Sequence, residues 1–231
     1  MQTILLLHGA AGSSEQLVPV ANLLSDSFSV NLYNFSGHGG KQIPSEPFSI
    51  ELFADDVLYF IEKNNLLKHG SVNIFGYSMG GYVALYIARH FPEKINKIFT
   101  TATKFRWNGD TSVKESGLLN PEKIAEKVPQ FAEQLSRIHS PEDWKEVLRK
   151  TSEMMINLGK NNLLTNEDLS MIENEVLLSV GDRDNMVTIE ETVEVFRNLK
   201  NGKLLILPGT PHPIEKISAH RLALEIKSFF E

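Results

Sequence analysis

The chain of 231 residues contains no cysteine. Thiolate nucleophiles, thiolate metal sites and disulfides are therefore excluded, and with them the usual compositional cue to a redox compartment. An excess of basic residues is missing too. Against 23 Lys and Arg stand 29 acidic side chains, for a net charge of −6. That balance aids solubility but supplies no electrostatic footprint for nucleic acid and no basic patch for a membrane surface. Long apolar runs are also lacking. The stretch Ile4-Leu5-Leu6-Leu7 ends at His8-Gly9, far short of the ~20 residues of a membrane span or the roughly 7–15 of a signal peptide's apolar region. The expected location is cytoplasmic, and the expected partner is a small molecule, with no nucleic acid and no membrane. No repeat, low-complexity tract or linker interrupts residues 1–231, so one domain is expected. With 42% hydrophobic residues, a chain of this length can bury a full core without metal or disulfide staples.

What recurs is a short apolar run, a turn and an amphipathic stretch. The runs Thr3–Leu7, Ser29–Asn34, Ser71–Tyr77, Ile95–Thr101, Glu175–Val180 and Lys203–Leu207 read as strands. Helical patterns fall between them at about Glu15–Leu24, Ile50–Asn64, Met79–His90 and Ile189–Leu199, and Ile214–Phe230 ends the sequence. Apolar runs alternating with helices imply an α/β fold of βαβ units, with about six parallel strands buried on both faces and flanked by helices. One segment breaks the rhythm. From Lys104 to Asn174 no strand pattern appears, but helical ones do, near Pro121–Ile138 and Pro141–Leu158. Each of those prolines sits where helices favour a start and has a glutamate in the following turn. Residues 104–174 therefore read as a helical cap inserted between two sheet strands.

Gly76-Tyr77-Ser78-Met79-Gly80 fits the pattern G-x-S-x-G. The string alone is common, so its context carries the weight. Val72-Asn73-Ile74-Phe75 before it reads as a buried strand, and Val83–Ala88 after it as a helix. A serine on a tight strand-to-helix turn projects its hydroxyl above the sheet, and the glycines keep side chains out of a crowded turn. The helix N-terminus behind it favours negative charge developing there. Ser78 is thus a candidate nucleophile, and the backbone N–H of Met79, the next residue, is a candidate oxyanion donor.

With these features in place the sequence resembles the α/β-hydrolase family, in its compact form with a helical cap. The likeness rests on Leu7-His8-Gly9, Phe35-Ser36-Gly37-His38-Gly39, Gly76–Gly81, Gly181-Asp182-Arg183-Asp184 and His212, and spans nearly the whole chain. It implies a triad in the chain order serine, acid, histidine. Of seven histidines, only His212 and His220 follow the candidate acids. His220 falls inside the last helical pattern, whereas His212 lies in the loop after the last strand, at the same sheet edge as Ser78. For the acid, Asp182 and Asp184 compete. The family's usual spacing of three residues from the strand-ending glycine favours Asp184, and leaves Asp182 a turn-capping role. By the same resemblance the second oxyanion donor is the backbone N–H of Ala10, and His8 is expected to bond nearby backbone. A serine mechanism of this kind requires no metal and no cofactor.

The likeness also has departures. The strand leading into His8-Gly9 comes first, without the family's opening antiparallel hairpin. Pro211 precedes His212 where glycine is common, and Pro213 follows, so the loop is stiffened. Asn34 stands where the family usually carries an aspartate, which bears on loop bonding. Tyr82 follows the elbow where related menaquinone-pathway C–C lyases often carry arginine.

The cap offers Phe105, Trp107, Phe131, Trp144 and Met154, with Met155 beside them, and Tyr77 lies next to the nucleophile. These are candidates for an apolar substrate pocket, with cap-to-sheet packing as the alternative. Leu118-Leu119 is similar. Lys104 and Arg106 stand near the cap's start, where an anionic substrate or solvent would meet them, and Glu122–Lys127 reads as a solvated helix face. The expected reaction is hydrolysis of a small to medium carboxylic ester or thioester with an apolar portion. Two other uses of the same fold are cleavage of a C–C bond by the same triad, and ligand-binding signalling with little turnover.

Overall fold

The computed structural model describes residues 1–231, apart from the side chain of His69. Six strands, β1 (Gln2–Leu7), β2 (Phe28–Tyr33), β3 (Val72–Tyr77), β4 (Ile95–Thr101), β5 (Glu175–Gly181) and β6 (Gly202–Leu207), form one sheet. Its order is β2-β1-β3-β4-β5-β6, and every neighbouring pair is parallel. All six apolar runs are strands, each within a residue or so of its expected bounds. The central strands are near-continuous apolar segments because both their faces are covered, and β3 is buried at every position.

Successive β1 residues feed opposite sides of the sheet. Leu5 and Leu7 join a core beneath α2 (Ile50–Lys63), α3 (Met79–His90) and α9 (Ile189–Asn198). Ile4 and Leu6 join a second core beneath α1 (Val18–Leu24) and α10 (Ala219–Phe230). The sheet is thus a layer between two helical layers. The strand order reverses at β1, which lies between β2 and β3, so the loops leaving β1 and β3 meet at a topological switch point. In such sheets that crevice is where ligands bind.

Between β4 and β5 the chain makes a helical insertion of α4 (Gly109–Gly117), α5 (Pro121–Lys127), α6 (Pro129–His139), α7 (Trp144–Lys160) and the short α8 (Asn166–Ser170). The expectation of two helices there needs correction. The pattern over Pro121–Ile138 is broken at Val128, because Pro129 lacks an N–H and drives the residue before it out of helical backbone. The helix expected over Pro141–Leu158 is α7, which begins at Trp144 with Asp143 as its cap, accepting from Lys145 N, and Pro141 lies outside it. The α4 helix has glycine at both ends and little apolar periodicity; an Asn108–Thr111 capping box starts it. At the end of the chain the pattern Ile214–Phe230 is a single 3-10 turn, Ile214–Lys216, followed by α10, with Ser218 capping it.

Candidate active site

The turn between β3 and α3 carries Ser78 at φ +51°, ψ −116°. That backbone region is sparsely populated for a residue with a side chain, and such residues concentrate at functional sites. The turn is held from several sides. Ser78 N donates to Thr101 O at 2.9 Å, its carbonyl accepts from Gly81 N, and Thr103 Oγ1 donates to the same carbonyl at 3.1 Å. Crowding explains the flanking glycines: a Cβ on Gly76 would lie 2.5 Å from Gly81, and one on Gly80 would run into the carbonyl oxygens of Leu7 and His8.

Asp184 leaves the end of β5 and His212 the loop after β6. Their side chains meet, with His212 Nδ1 and Asp184 Oδ2 2.8 Å apart. The Asp184 carboxylate is fully buried, and its other oxygen accepts from Met186 N and Val187 N at 2.9 and 2.8 Å. The carboxylate is thus fixed from behind, and its free oxygen is aimed at the ring. Asp182, the competing acid, is exposed and instead accepts from Thr210 N at the base of the histidine loop. Tyr77 Oη donates to the His212 carbonyl at 3.1 Å, so the loop bounded by Pro211 and Pro213 is tied to the strand that delivers Ser78. His220 is exposed on α10.

Ser78, His212, Gly9, Ala10 and Met79 line one cavity of about 180 Å³. Among the described residues no hydrogen bond joins Ser78 to His212, and catalytic hydrogen bonds commonly tighten only when substrate binds. Met79 heads α3, so its N–H has no acceptor inside the helix. The N–H of Ala10 likewise has no protein acceptor among the described residues. Both residues line the cavity beside Ser78.

Apart from Lys104, the rest of the wall is mainly apolar: Ile50, Tyr77, Tyr82, Trp107, Leu119, Met154, Met155, Leu158 and Met186. Of the six candidate pocket residues, Tyr77, Trp107 and Met154 line this cavity. Phe105, Phe131 and Trp144 do not line the cavity. Phe105 is buried in the core against Tyr82, Trp144 packs beside Leu135 and Leu148 inside the insertion, and Phe131 is exposed on α6. Leu119, of the Leu118-Leu119 pair, also lines it, whereas Ile50 and Met186 arrive from separate parts of the chain and no local motif marks them.

Lys104 also reaches the cavity, but its ammonium is committed: it donates to Met186 O at 2.9 Å and approaches Glu191 at 3.4 Å. Glu191, itself buried, accepts in addition from Phe105 N and Arg106 N. This buried pair ties the start of the insertion to the segment that follows Asp184, and nothing in the local sequence of either partner marks it. Arg106 pairs with Glu194 at the surface.

Three further histidines sit behind the loop that follows β1. His8 Nδ1 donates to Gly9 O, and its Nε2 accepts from Phe35 N. His139, on α6, donates from Nε2 to Ala11 O and accepts from Gly39 N. His38 lies between them, with ring centroids 5.4 Å from His8 and 5.7 Å from His139. Burial pushes His8 down to about 4 and also lowers His38 and His139. For His8 and His139 a second proton would also have to face a backbone N–H.

A histidine with a depressed folded value binds its proton more readily when unfolded, so its contribution to stability is complete above its ordinary value of 6.5 and is lost as pH falls toward the folded value. His8 alone should cost about 2 kcal/mol of stability at pH 5 relative to pH 7.5. Urea denaturation at the two pH values measures this, and a midpoint unchanged or higher at pH 5 would contradict it.

Among the described residues no group of three or more histidines and carboxylates is arranged to hold a metal ion, and no helix is long and apolar enough to cross a membrane.

Comparison with known proteins adds the context. Residues 2–143 match the family model described as alpha/beta hydrolase fold. The whole chain aligns with 77% of a pimeloyl-[acyl-carrier protein] methyl ester esterase of Neisseria meningitidis serogroup A at 25% identity. Ninety per cent of it aligns with 72% of the serine hydrolase BPHL of Homo sapiens at 24% identity. Among solved structures, a thermophilic esterase from Thermogutta terrifontis superposes with a TM-score of 0.79 at 18% identity, covering 100% of this chain and 89% of that one.

Proposed function

Because the chain belongs to the α/β-hydrolase fold family, we propose that it is a serine hydrolase acting on small to medium carboxylic esters or thioesters with an apolar portion, with Ser78 as nucleophile, His212 as base and Asp184 as its orienting acid. The observation that carries this is the 2.8 Å contact of His212 Nδ1 with a buried, doubly anchored Asp184 at the cavity that also contains Ser78.

The carboxylate accepts the Nδ1 proton of His212, which leaves Nε2 free to accept one. Ser78 Oγ attacks the carbonyl carbon while its proton passes to His212 Nε2. The carbonyl oxygen becomes an alkoxide held by the N–H groups of Ala10 and Met79, each such donor being worth on the order of 10²–10³ in rate. Collapse of the tetrahedral centre breaks the bond to the alcohol or thiol, which leaves with the proton from His212. Water then gives a proton to His212, attacks the acyl-enzyme, and releases the acid as Ser78 regains its proton. Relatives of about 25% identity that are named as esterase and serine hydrolase support the reaction class, and the apolar cavity wall supports an apolar substituent.

The test is intact-mass analysis after treatment with a fluorophosphonate, together with turnover of aryl esters against 1,3-diketones. One adduct per chain and ester turnover are expected. Diketone cleavage without ester turnover would assign C–C bond hydrolysis. Tight ligand binding with neither adduct nor turnover would assign a receptor.

A further inference from the structure

Beside the cavity at Ser78 lies a second one of about 200 Å³. Its walls include Phe48 and Leu163, and its mouth is ringed by Pro47, Glu51, Asn157 and Asn161, all exposed. The two cavities share three lining residues, Ile50 from the start of α2 and Met154 and Leu158 from α7. What separates Ser78 from this second opening is therefore a partition one side chain thick, built of two aliphatic residues and a methionine.

The three are not equally movable. Ile50 is branched at Cβ, which stiffens its first torsion, and it lies in the first turn of a helix whose Ser49 cap fixes the backbone. Leu158 is one helical turn beyond Met154, on the same face. Met154 is unbranched, with three rotatable bonds and a polarisable thioether, the side chain best able to change shape within a core. It is buried in the core and at the same time borders open space in both cavities.

We propose that Met154 is a gate between the two cavities, and that its rotation lets a linear aliphatic chain run from the ester held at Ser78 into the second cavity. This rests on the hydrolase reading above and deepens it to a substrate class: esters carrying an unbranched chain longer than the first cavity holds. The walls of both cavities suit methylenes, while the polar groups at the second mouth, Glu51, Asn157 and Asn161, leave the chain's far end at solvent. Each methylene that moves from water into the second cavity should raise kcat/KM about fourfold until the chain reaches that mouth.

The experiment compares kcat/KM for decanoate over butyrate with p-nitrophenyl esters, and for decyl over butyl acetate, so that the acyl and alcohol sides are read separately. Met154→Ala, which removes the partition, should raise the ratio in at least one series by about tenfold or more, the equivalent of two further buried methylenes. Asn157→Trp, at an exposed position lining only the second cavity, should lower the same ratio by about as much, and it gives an answer even if the core variant fails to fold. Ratios that stay within twofold of the native protein while a fluorophosphonate still labels the chain would overturn the gate and leave the hydrolase reading standing. Failure of native protein to label or to turn over any ester would overturn both.

Discussion

Ser78→Ala is expected to lower ester turnover by about a millionfold, the loss measured when the nucleophile of subtilisin is removed. At 1.36 kcal/mol per factor of ten that is about 8 kcal/mol of transition-state stabilisation. The effect should be chemical rather than structural. Alanine retains the Cβ, so the turn keeps the same steric demand at φ +51°, and its backbone bonds to Thr101, Thr103 and Gly81 do not involve the lost hydroxyl. Urea midpoints of the two proteins should therefore agree closely, and the fluorophosphonate adduct should vanish with the activity. The residual rate would come from the oxyanion donors and from binding. A purified variant that keeps its ester rate to within tenfold would remove Ser78 from the mechanism and the serine-hydrolase proposal with it.

Much of the fold was legible because a parallel sheet covered on both faces writes itself into sequence as apolar runs. Ile4–Leu7 is unbroken, and Val72–Tyr77 has Asn73 as its one amide side chain, so neither shows a strict polar alternation to confuse the period. The candidate site was legible for a related reason. Parallel strands present their carboxyl ends at one edge, so residues placed just after β3, β5 and β6 converge although up to 134 positions separate them. Distinguishing Asp184 from Asp182 relied on the resemblance, and the geometry has a simple cause. Asp184 follows the β5 end by three residues and accepts from Met186 N and Val187 N, while Asp182 accepts from Thr210 N in the loop after β6.

The insertion was less legible, because apart from α7 its helices have eleven residues or fewer, and caps and prolines set their bounds. The pattern over 121–138 is continuous in its apolar spacing, and only the backbone restriction imposed by Pro129 on Val128 divides it. The pocket was read in the same incomplete way. Trp144 and Phe131 have the composition of pocket residues, but which face of a helix turns toward Ser78 is decided by tertiary packing. Ile50, from the start of α2, and Met186, two residues past Asp184, contribute wall that no local pattern announces. The Lys104–Glu191 pair spans 87 positions and is of the same kind.

Asp184→Asn should lower turnover by about 10⁴, the loss known for the equivalent change in serine proteases. The structure supplies a reason for so large an effect from the exchange of one oxygen for one NH₂. The Oδ1 position of residue 184 accepts from two backbone N–H groups, at 2.9 and 2.8 Å. An asparagine at this site keeps those two bonds only by placing its carbonyl oxygen there, because an amide NH₂ facing two N–H groups would leave buried donors unpaired. Its NH₂ is then forced onto the side of His212 Nδ1. Two donors cannot face each other, so the ring puts its proton on Nε2 and presents its lone pair to the asparagine. Nε2 then carries a proton where the mechanism needs an acceptor for that of Ser78. The variant should fold with the His212 loop still anchored by Tyr77 and Thr210, bind substrate with little change in KM, and lose kcat. It should also recover part of its rate at high pH, where hydroxide removes the serine proton without the ring. A kcat within tenfold of native at neutral pH would mean that Asp184 does not set the His212 tautomer, and would leave the acid's role unassigned.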